Sequence, residues 1–268
     1  MKPTRLNKTK YHKSYTPLSM RQTPVQRAEI TTSKRMFSSL PYHFSFFILF
    51  LTLATCGYTI VTASADEICD AFLPMAEQGD ADAQSILAIC YESVSKDYVK
   101  AVYWYTKAAE QGVVHAQFWL GFWYSFYDEG PEDYVKAAYW FTKAAEQGDA
   151  EAQFWLGLFY DKGYGVRKDT IKAAYWFTLA AEQGHASAQG ELGYYYSCCD
   201  EITRDYTKAV YWYTKAAEQG DARAQYNLGI CYDKGYGVAK NKTKAIYWYT
   251  KAAEQGYADA TKALRNIK

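Results

Sequence analysis

The chain has 268 residues, room for one or two ordinary domains; 18% of them are aromatic, tyrosine alone occurring 27 times. Only six prolines are present, three of them (Pro3, Pro17, Pro24) in the first 35 residues, so the remainder favours helices packed through aromatic side chains. The net charge of +1 conceals a basic stretch of nine Lys/Arg against Glu29 in residues 1–35, and a body, 66–268, with a net of −7. An acidic body cannot release the counterions that drive binding to a phosphate backbone, so no nucleic-acid partner is expected.

Residues 1–37 read as a basic disordered tail or as a mis-assigned start, with Met20 or Met36 initiating instead. Residues 38–65 carry no charged side chain, follow Lys34-Arg35, contain the apolar block Phe44 to Leu53 and end in Ala63-Ser64-Ala65. A basic flank, an apolar block and small residues at −3 and −1 describe a secretory signal cleaved after Ala65. Two other readings stand beside it. One is an uncleaved membrane anchor, since residues 44–61 can cross a ~30 Å hydrocarbon core; the other is a lipoprotein signal at Leu53-Ala54-Thr55-Cys56. All three place residues 66–268 outside the cytoplasmic membrane, periplasmic or secreted. Membrane contact is expected only through 38–65, if left uncleaved.

The body is repetitive. Ala-Glu-Gln-Gly recurs at Ala76–Gly79, Ala109–Gly112, Ala145–Gly148, Ala181–Gly184, Ala217–Gly220 and Ala253–Gly256, with glycine spacings of 33, 36, 36, 36 and 36. Between these strings lies Ala-Gln-x-x-Leu-Gly-x-x-Tyr, at Ala116–Tyr124, Ala152–Tyr160, Ala188–Tyr196 and Ala224–Tyr232, with a degenerate copy at Ala83–Tyr91 in which Ala88 replaces the glycine. Five repeats follow: 80–112, 113–148, 149–184, 185–220 and 221–256.

Each repeat predicts two helices. In the first, Ala152, Leu156, Gly157 and Tyr160 share one face, and Gly157 permits close approach of a neighbour. In the second, Ala173, Trp176, Phe177, Ala180 and Ala181 form the buried stripe, and Gly184 ends the helix as a left-handed C′ residue. Gly163-Tyr164-Gly165-Val166 and Gly235-Tyr236-Gly237-Val238 supply turns between the helices. A single hairpin cannot bury both faces, so the copies must stack. Residues 66–79 and 257–268 read as capping half-repeats, the latter with Arg265 at the packing-glycine position.

This unit resembles the Sel1-like repeat, a relative of the tetratricopeptide repeat, closely over 80–256 and loosely over 66–268. The resemblance implies an all-α, right-handed α-solenoid of tandem helix–turn–helix repeats that acts as an adaptor or binding scaffold. The first repeat is three residues short. Repeats 2 and 4 replace the glycine turn with Asp128-Glu129-Gly130-Pro131 and Cys198-Cys199-Asp200-Glu201, where the family geometry is least secure.

No catalytic, cofactor or metal site is expected. The Gly-x-Gly turns follow a helix and lack the Lys-Ser/Thr of a phosphate cradle. His115 and His185 occupy different register positions, and no His-x-x-His or Cys-x-x-Cys spacing exists. The Glu-Gln of each Ala-Glu-Gln-Gly reads as solvated. In an oxidising compartment Cys69 could pair with Cys90, and Cys198 or Cys199 with Cys231, or the cysteines could serve as small buried hydrophobes. Asn241-Lys242-Thr243 is a glycosylation sequon in a loop, relevant only in a eukaryotic source.

By register with the family, the first helices line a concave groove. The groove positions are His115, Phe118, Phe122 and Phe126 in repeat 2, and Glu151, Phe154, Leu158 and Asp161 in repeat 3. Ser187 and Tyr194 follow in repeat 4, then Arg223, Tyr226, Ile230 and Asp233 in repeat 5. The competing reading puts Phe118, Trp119, Phe154 and Trp155 in the core. The expected function is an exported, non-enzymatic scaffold holding a protein or peptide in that groove. Its alternatives are the cell-wall or β-lactam hydrolysis credited to some cysteine-rich relatives, and a purely architectural envelope spacer.

Overall fold

The computed structural model describes residues 69–126, 131–198 and 202–267. The expectations for residues 1–65 lie outside the described residues. Among the described residues there are twelve α-helices and no strands, and no helix is long and apolar enough to cross a membrane. The helices are α1 (Leu73–Glu77), α2 (Ala81–Cys90), α3 (Tyr98–Glu110), α4 (Val114–Phe126), α5 (Pro131–Glu146) and α6 (Ala150–Lys162). They continue as α7 (Thr170–Glu182), α8 (Ala186–Cys198), α9 (Tyr206–Glu218), α10 (Ala222–Lys234), α11 (Lys242–Glu254) and α12 (Ala258–Asn266). Each first helix packs on its own second helix, and each second helix on the first helix of the next repeat. The chain is an α-solenoid of tandem helix pairs, as the periodicity predicts.

Local chemistry sets the helix starts. Asp80, Asp149 and Asp221 accept from the amides of Ala83, Ala152 and Ala224 at 2.7, 2.7 and 2.6 Å, capping α2, α6 and α10. Asp97, Asp169, Asp205 and Asn241 cap second helices in the same way, accepting from the amides of Lys100, Lys172, Lys208 and Lys244. Asn241, the asparagine of the sequon, is thus an N-cap.

The aberrant turns are resolved differently. Repeat 1 absorbs its missing three residues in a π-helical turn, Tyr91–Ser95, closed by Lys96 in the left-handed region at φ 57°. Repeat 2 starts its second helix early, at Pro131, a residue suited to the first helical position because its absent N–H has no partner there anyway. Residues 127–130 and 199–201 are outside the described residues.

The core is a row of leucines, Leu87, Leu120, Leu156, Leu192 and Leu228, over a row of rings, Tyr105, Phe141, Phe177, Tyr213 and Tyr249, all buried. The packing glycines sit against those rings. A Cβ on Gly121, Gly157, Gly193 or Gly229 would lie 2.6, 2.7, 2.4 or 2.6 Å from Phe141, Phe177, Tyr213 or Tyr249. On the opposite face of the second helices, Tyr103, Tyr139, Tyr175, Tyr211 and Tyr247 are exposed, each with its ring edge-on to the following tryptophan.

Neighbouring repeats are fastened by glutamines. Gln153 is buried and donates to the Ala145 carbonyl at 3.1 Å, while its own oxygen accepts from Gln183 of the same repeat at 2.8 Å. Gln183 also reaches back to the Gly148 carbonyl at 3.0 Å. The same arrangement joins Gln84 to Gln111, Gln117 to Gln147, Gln189 to Gln219 and Gln225 to Gln255. The Ala-Glu-Gln-Gly glutamines are exposed, as expected, but they are not idle: their amides hold the preceding turn against the next first helix.

The Gly-x-Gly turns also act between repeats. Gly165 (φ 63°) and Gly237 (φ 68°) lie where a Cβ would come within 2.1 and 2.2 Å of the Tyr134 and Tyr206 carbonyl oxygens of the preceding second helix. Tyr164 stacks on Tyr134 at 5.1 Å and Tyr236 on Tyr206 at 4.8 Å. Repeats 2 and 3 are coupled in this way, and so are repeats 4 and 5.

Candidate protein-binding surface

The outward face of the first helices contains a row of apolar residues at one register position: Ile89, Phe122, Leu158, Tyr194 and Ile230. Ile89, Leu158 and Ile230 are half-buried, Tyr194 is 48% exposed, and Phe122 is buried at 6%. Phe122 is covered because its ring meets Phe126 at 4.5 Å and the edge of Trp155 at 6.0 Å. Phe154 is also buried, at 2%, stacked on His185 at 4.6 Å and packed on Phe177 at 5.9 Å. The expectation that Phe122 and Phe154 line the groove is therefore corrected; both belong to the core. Phe118 is half-buried between Phe122 and Phe141, and Phe126 half-buried beside Trp155.

The flanking polar positions are organised by specific partners. Glu151 accepts from the indole N–H of Trp155 at 3.3 Å and meets His185 Nε2 at 3.0 Å. His185 Nδ1 accepts the Ala188 amide at 3.1 Å, capping α8, which leaves the proton of the neutral ring on Nε2, facing Glu151. In repeat 2 the equivalent of Glu151 is His115, which is exposed with its ring tilted on Tyr105 at 5.9 Å. The Trp119 indole N–H there is buried without a hydrogen-bond partner among the described residues.

Repeats 4 and 5 differ in character. Gly190 and Glu191 stand where repeat 3 has Phe154 and Trp155, and Arg223 of α10 pairs with the buried Glu191. Asp161 accepts the Tyr195 hydroxyl at 2.6 Å and pairs with Lys162. Ser187 is half-buried. Tyr226 packs on Tyr249 at 5.7 Å and on Tyr257 at 5.1 Å. Burial, with the Asp233 carboxylate nearby, holds the Tyr249 phenol above its ordinary range. Tyr226, Ile230 and Asp233 open onto a hollow of about 690 Å³ at the α12 end.

Among the cysteines, Cys69 and Cys90 form a disulfide with Cα atoms 5.4 Å apart, tying the segment before α1 to the end of α2. Cys198 and Cys231 are both unpaired, and Cys199 lies outside the described residues. Cys198 is exposed at the end of α8 with its thiol turned to the Tyr194 carbonyl at 3.3 Å, whereas Cys231 is buried in the core. A Cys198–Cys231 bridge is therefore not formed. Burial pushes the Cys231 thiol up to about 11.

A family model for the Sel1 repeat matches residues 81–113, 114–149, 150–185, 186–221 and 222–257. The chain belongs to the Sel1 repeat family. Two solved structures place these Sel1 repeats among bacterial relatives. The crystal structure of c5321, a protective antigen present in uropathogenic Escherichia coli strains that displays an SLR fold, aligns with a TM-score of 0.72 and 41% identity. The alignment covers 76% of this chain but only 44% of that one, so the chain spans less than half of that relative's length. A Sel1 repeat protein from Oxalobacter formigenes aligns with a TM-score of 0.63 and 35% identity, covering 71% of this chain and 77% of that one. No curated protein sequence matches the chain significantly. The Sel1 repeat is a scaffold fold that commonly serves protein–protein interaction.

The glutamine clamps and the Gly165 and Gly237 contacts escaped the sequence reading. Their signal was present, because Gln153 and Gln183 recur as strictly as the leucines and glycines. Strict recurrence of a polar residue in a stacked array points to a bond between copies.

Proposed function

We propose that this Sel1 repeat protein is an exported, non-enzymatic scaffold that grips a protein or peptide segment along its first-helix face. The observation that carries this reading is the row Leu158, Tyr194 and Ile230. These three sit at one register position in consecutive repeats, none fully buried, amid the acidic and basic side chains of Glu151, Asp161, Arg223 and Asp233. Apolar anchors inside a charged rim are the usual composition of a recognition surface. Export is supported by residues 38–65, with their basic flank and Ala63-Ser64-Ala65, and by the Cys69–Cys90 bond, of a kind that persists in oxidising compartments. Asp66 as the first residue of the mature chain, read by N-terminal sequencing, would establish the cleaved form.

The binding test uses a photo-crosslinking amino acid at position 158, 194 or 230, with position 175 as a control, since Tyr175 is 57% exposed but lies on the opposite face. Crosslinking in envelope fractions should give one stoichiometric adduct at the first three positions and none at 175. Equal adducts at 175 and 194, or none at any position, would overturn the reading. Tyr194→Ala should abolish capture while leaving the thermal midpoint nearly unchanged, because this ring is half exposed.

A further inference from the structure

The hollow at the α12 end identifies the chemistry of the segment it takes, an inference that rests on the reading above that a partner lies along the first helices. Two repeats earlier the corresponding positions carry larger side chains. There, α8 contributes Glu191, Tyr194 and Tyr195, with the Tyr195 hydroxyl on Asp161 and Glu191 paired to Arg223. In α12 and just after it, the same three positions are Ala263, Asn266 and Ile267. Two phenols and a carboxylate are thus replaced by much smaller groups, which leaves the space of about 690 Å³ beside Ile230 and Asp233. That volume lies in the ~300–1,000 Å³ range of ligand clefts.

The wall of the hollow has a definite charge. Asp233 retains its bridge to Lys234 at 2.7 Å, as Asp161 keeps Lys162. Tyr249, where repeat 3 has Phe177, lines the hollow near it, but among the described residues no tyrosine hydroxyl makes the hydrogen bond that Tyr195 makes to Asp161. Lys240 and Lys242 also line the hollow, both exposed and neither in an ion pair among the described residues. The corresponding residues of repeat 3 are Lys168 and Thr170, so repeat 5 adds a cation where its counterpart has a neutral residue. Unpaired lysines on the rim select anionic partners.

We propose that this hollow seats an acidic, tyrosine-bearing peptide segment of the protein partner. The tyrosine ring enters beside Ile230 and Tyr226, its hydroxyl donating to Asp233 as Tyr195 does to Asp161. Carboxylates of the segment pair with Lys240 and Lys242.

The test titrates the full chain with a labelled hexapeptide of alternating glutamate and tyrosine, alongside versions with phenylalanine for tyrosine and glutamine for glutamate. The parent peptide should bind, and each replacement should weaken it about tenfold. The Lys240→Glu/Lys242→Glu variant, altered only on the exposed rim, should lose binding about tenfold or more. Asp233→Ala should erase the preference for tyrosine over phenylalanine. No binding of the parent peptide, or equal binding by wild type and the lysine variant, overturns the proposal. Photo-crosslinking at position 194 in the lysine variant separates the two ideas: an adduct retained there leaves the first-helix reading standing when the hollow fails.

Discussion

Gln153 shows how much a single polar side chain does in this molecule. Its amide is buried, donates to Ala145 across the repeat boundary and accepts from Gln183 of its own repeat, so both ends of the group are satisfied. Gln153→Leu would keep the volume but strand a carbonyl and an amide together. Leaving buried polar groups unpaired costs about 1–3 kcal/mol, so a loss of about 2 kcal/mol in urea unfolding is expected. Gln183→Ala should cost less, since water can reach the Gly148 carbonyl that it leaves behind; equal losses would show that Gln153 acts by packing alone. At this scale the sequence was only partly legible. Gln153 recurs in every repeat, but a linear pattern does not say which carbonyl an amide finds. The aromatics erred the other way, because a stripe at helical spacing does not reveal whether a neighbour covers it. Phe154 and Leu158 are one turn apart on α6, yet His185 covers the first and leaves the second half-open.

Between helices, the decisive contact is glycine against ring. At Gly157 a methyl group would stand 2.7 Å from the Phe177 ring, inside any tolerable contact, and both residues are buried. Gly157→Ala gains helix propensity but forces α6 and α7 apart. Overpacking of this kind costs about 1–3 kcal/mol, which should appear as a lower urea midpoint. Combining it with Phe177→Leu should recover part of that loss; a strictly additive double variant would place the fault elsewhere. This contact was readable from the chain, because a glycine conserved in register within an otherwise strong helix has few other uses. Repeat 1 keeps Ala88 at this position, buried, and it is also the repeat whose first helix gives way to a π-helical turn. The number, order and pairing of the helices were legible for the same reason, whereas the irregular turns were not, each being solved by its own local chemistry.

Across the whole solenoid, the ring row carries three phenols that burial holds above their ordinary range, Tyr105, Tyr213 and Tyr249. Tyr105 also donates to Glu92 at 2.7 Å, which further opposes its ionisation. Because the folded values lie above the unfolded value of about 10, the neutral phenols contribute stability in full below that pH. The contribution is lost as pH rises through the folded values. Phenolate absorbance from these three rings should therefore appear only together with the loss of helical circular dichroism. A single smooth titration with the helix signal intact would contradict this.

The coupling of repeats 2 with 3 and 4 with 5, through Gly165 on Tyr134 and Gly237 on Tyr206, changes what counts as a module. The glutamine clamps are alike at every junction, so they would accept the gain or loss of any one repeat. The glycine turns alternate: those of repeats 3 and 5 meet Tyr134 and Tyr206 of the repeats before them. Repeats 3 and 5 themselves carry Thr170 and Lys242 at that position, so removing repeat 4 alone would set Gly237 against Thr170. A gene that grows or shrinks by recombination between its own copies is thus steered toward even steps. An engineered chain lengthened by a repeat pair should keep its cooperativity better than one lengthened by a single repeat.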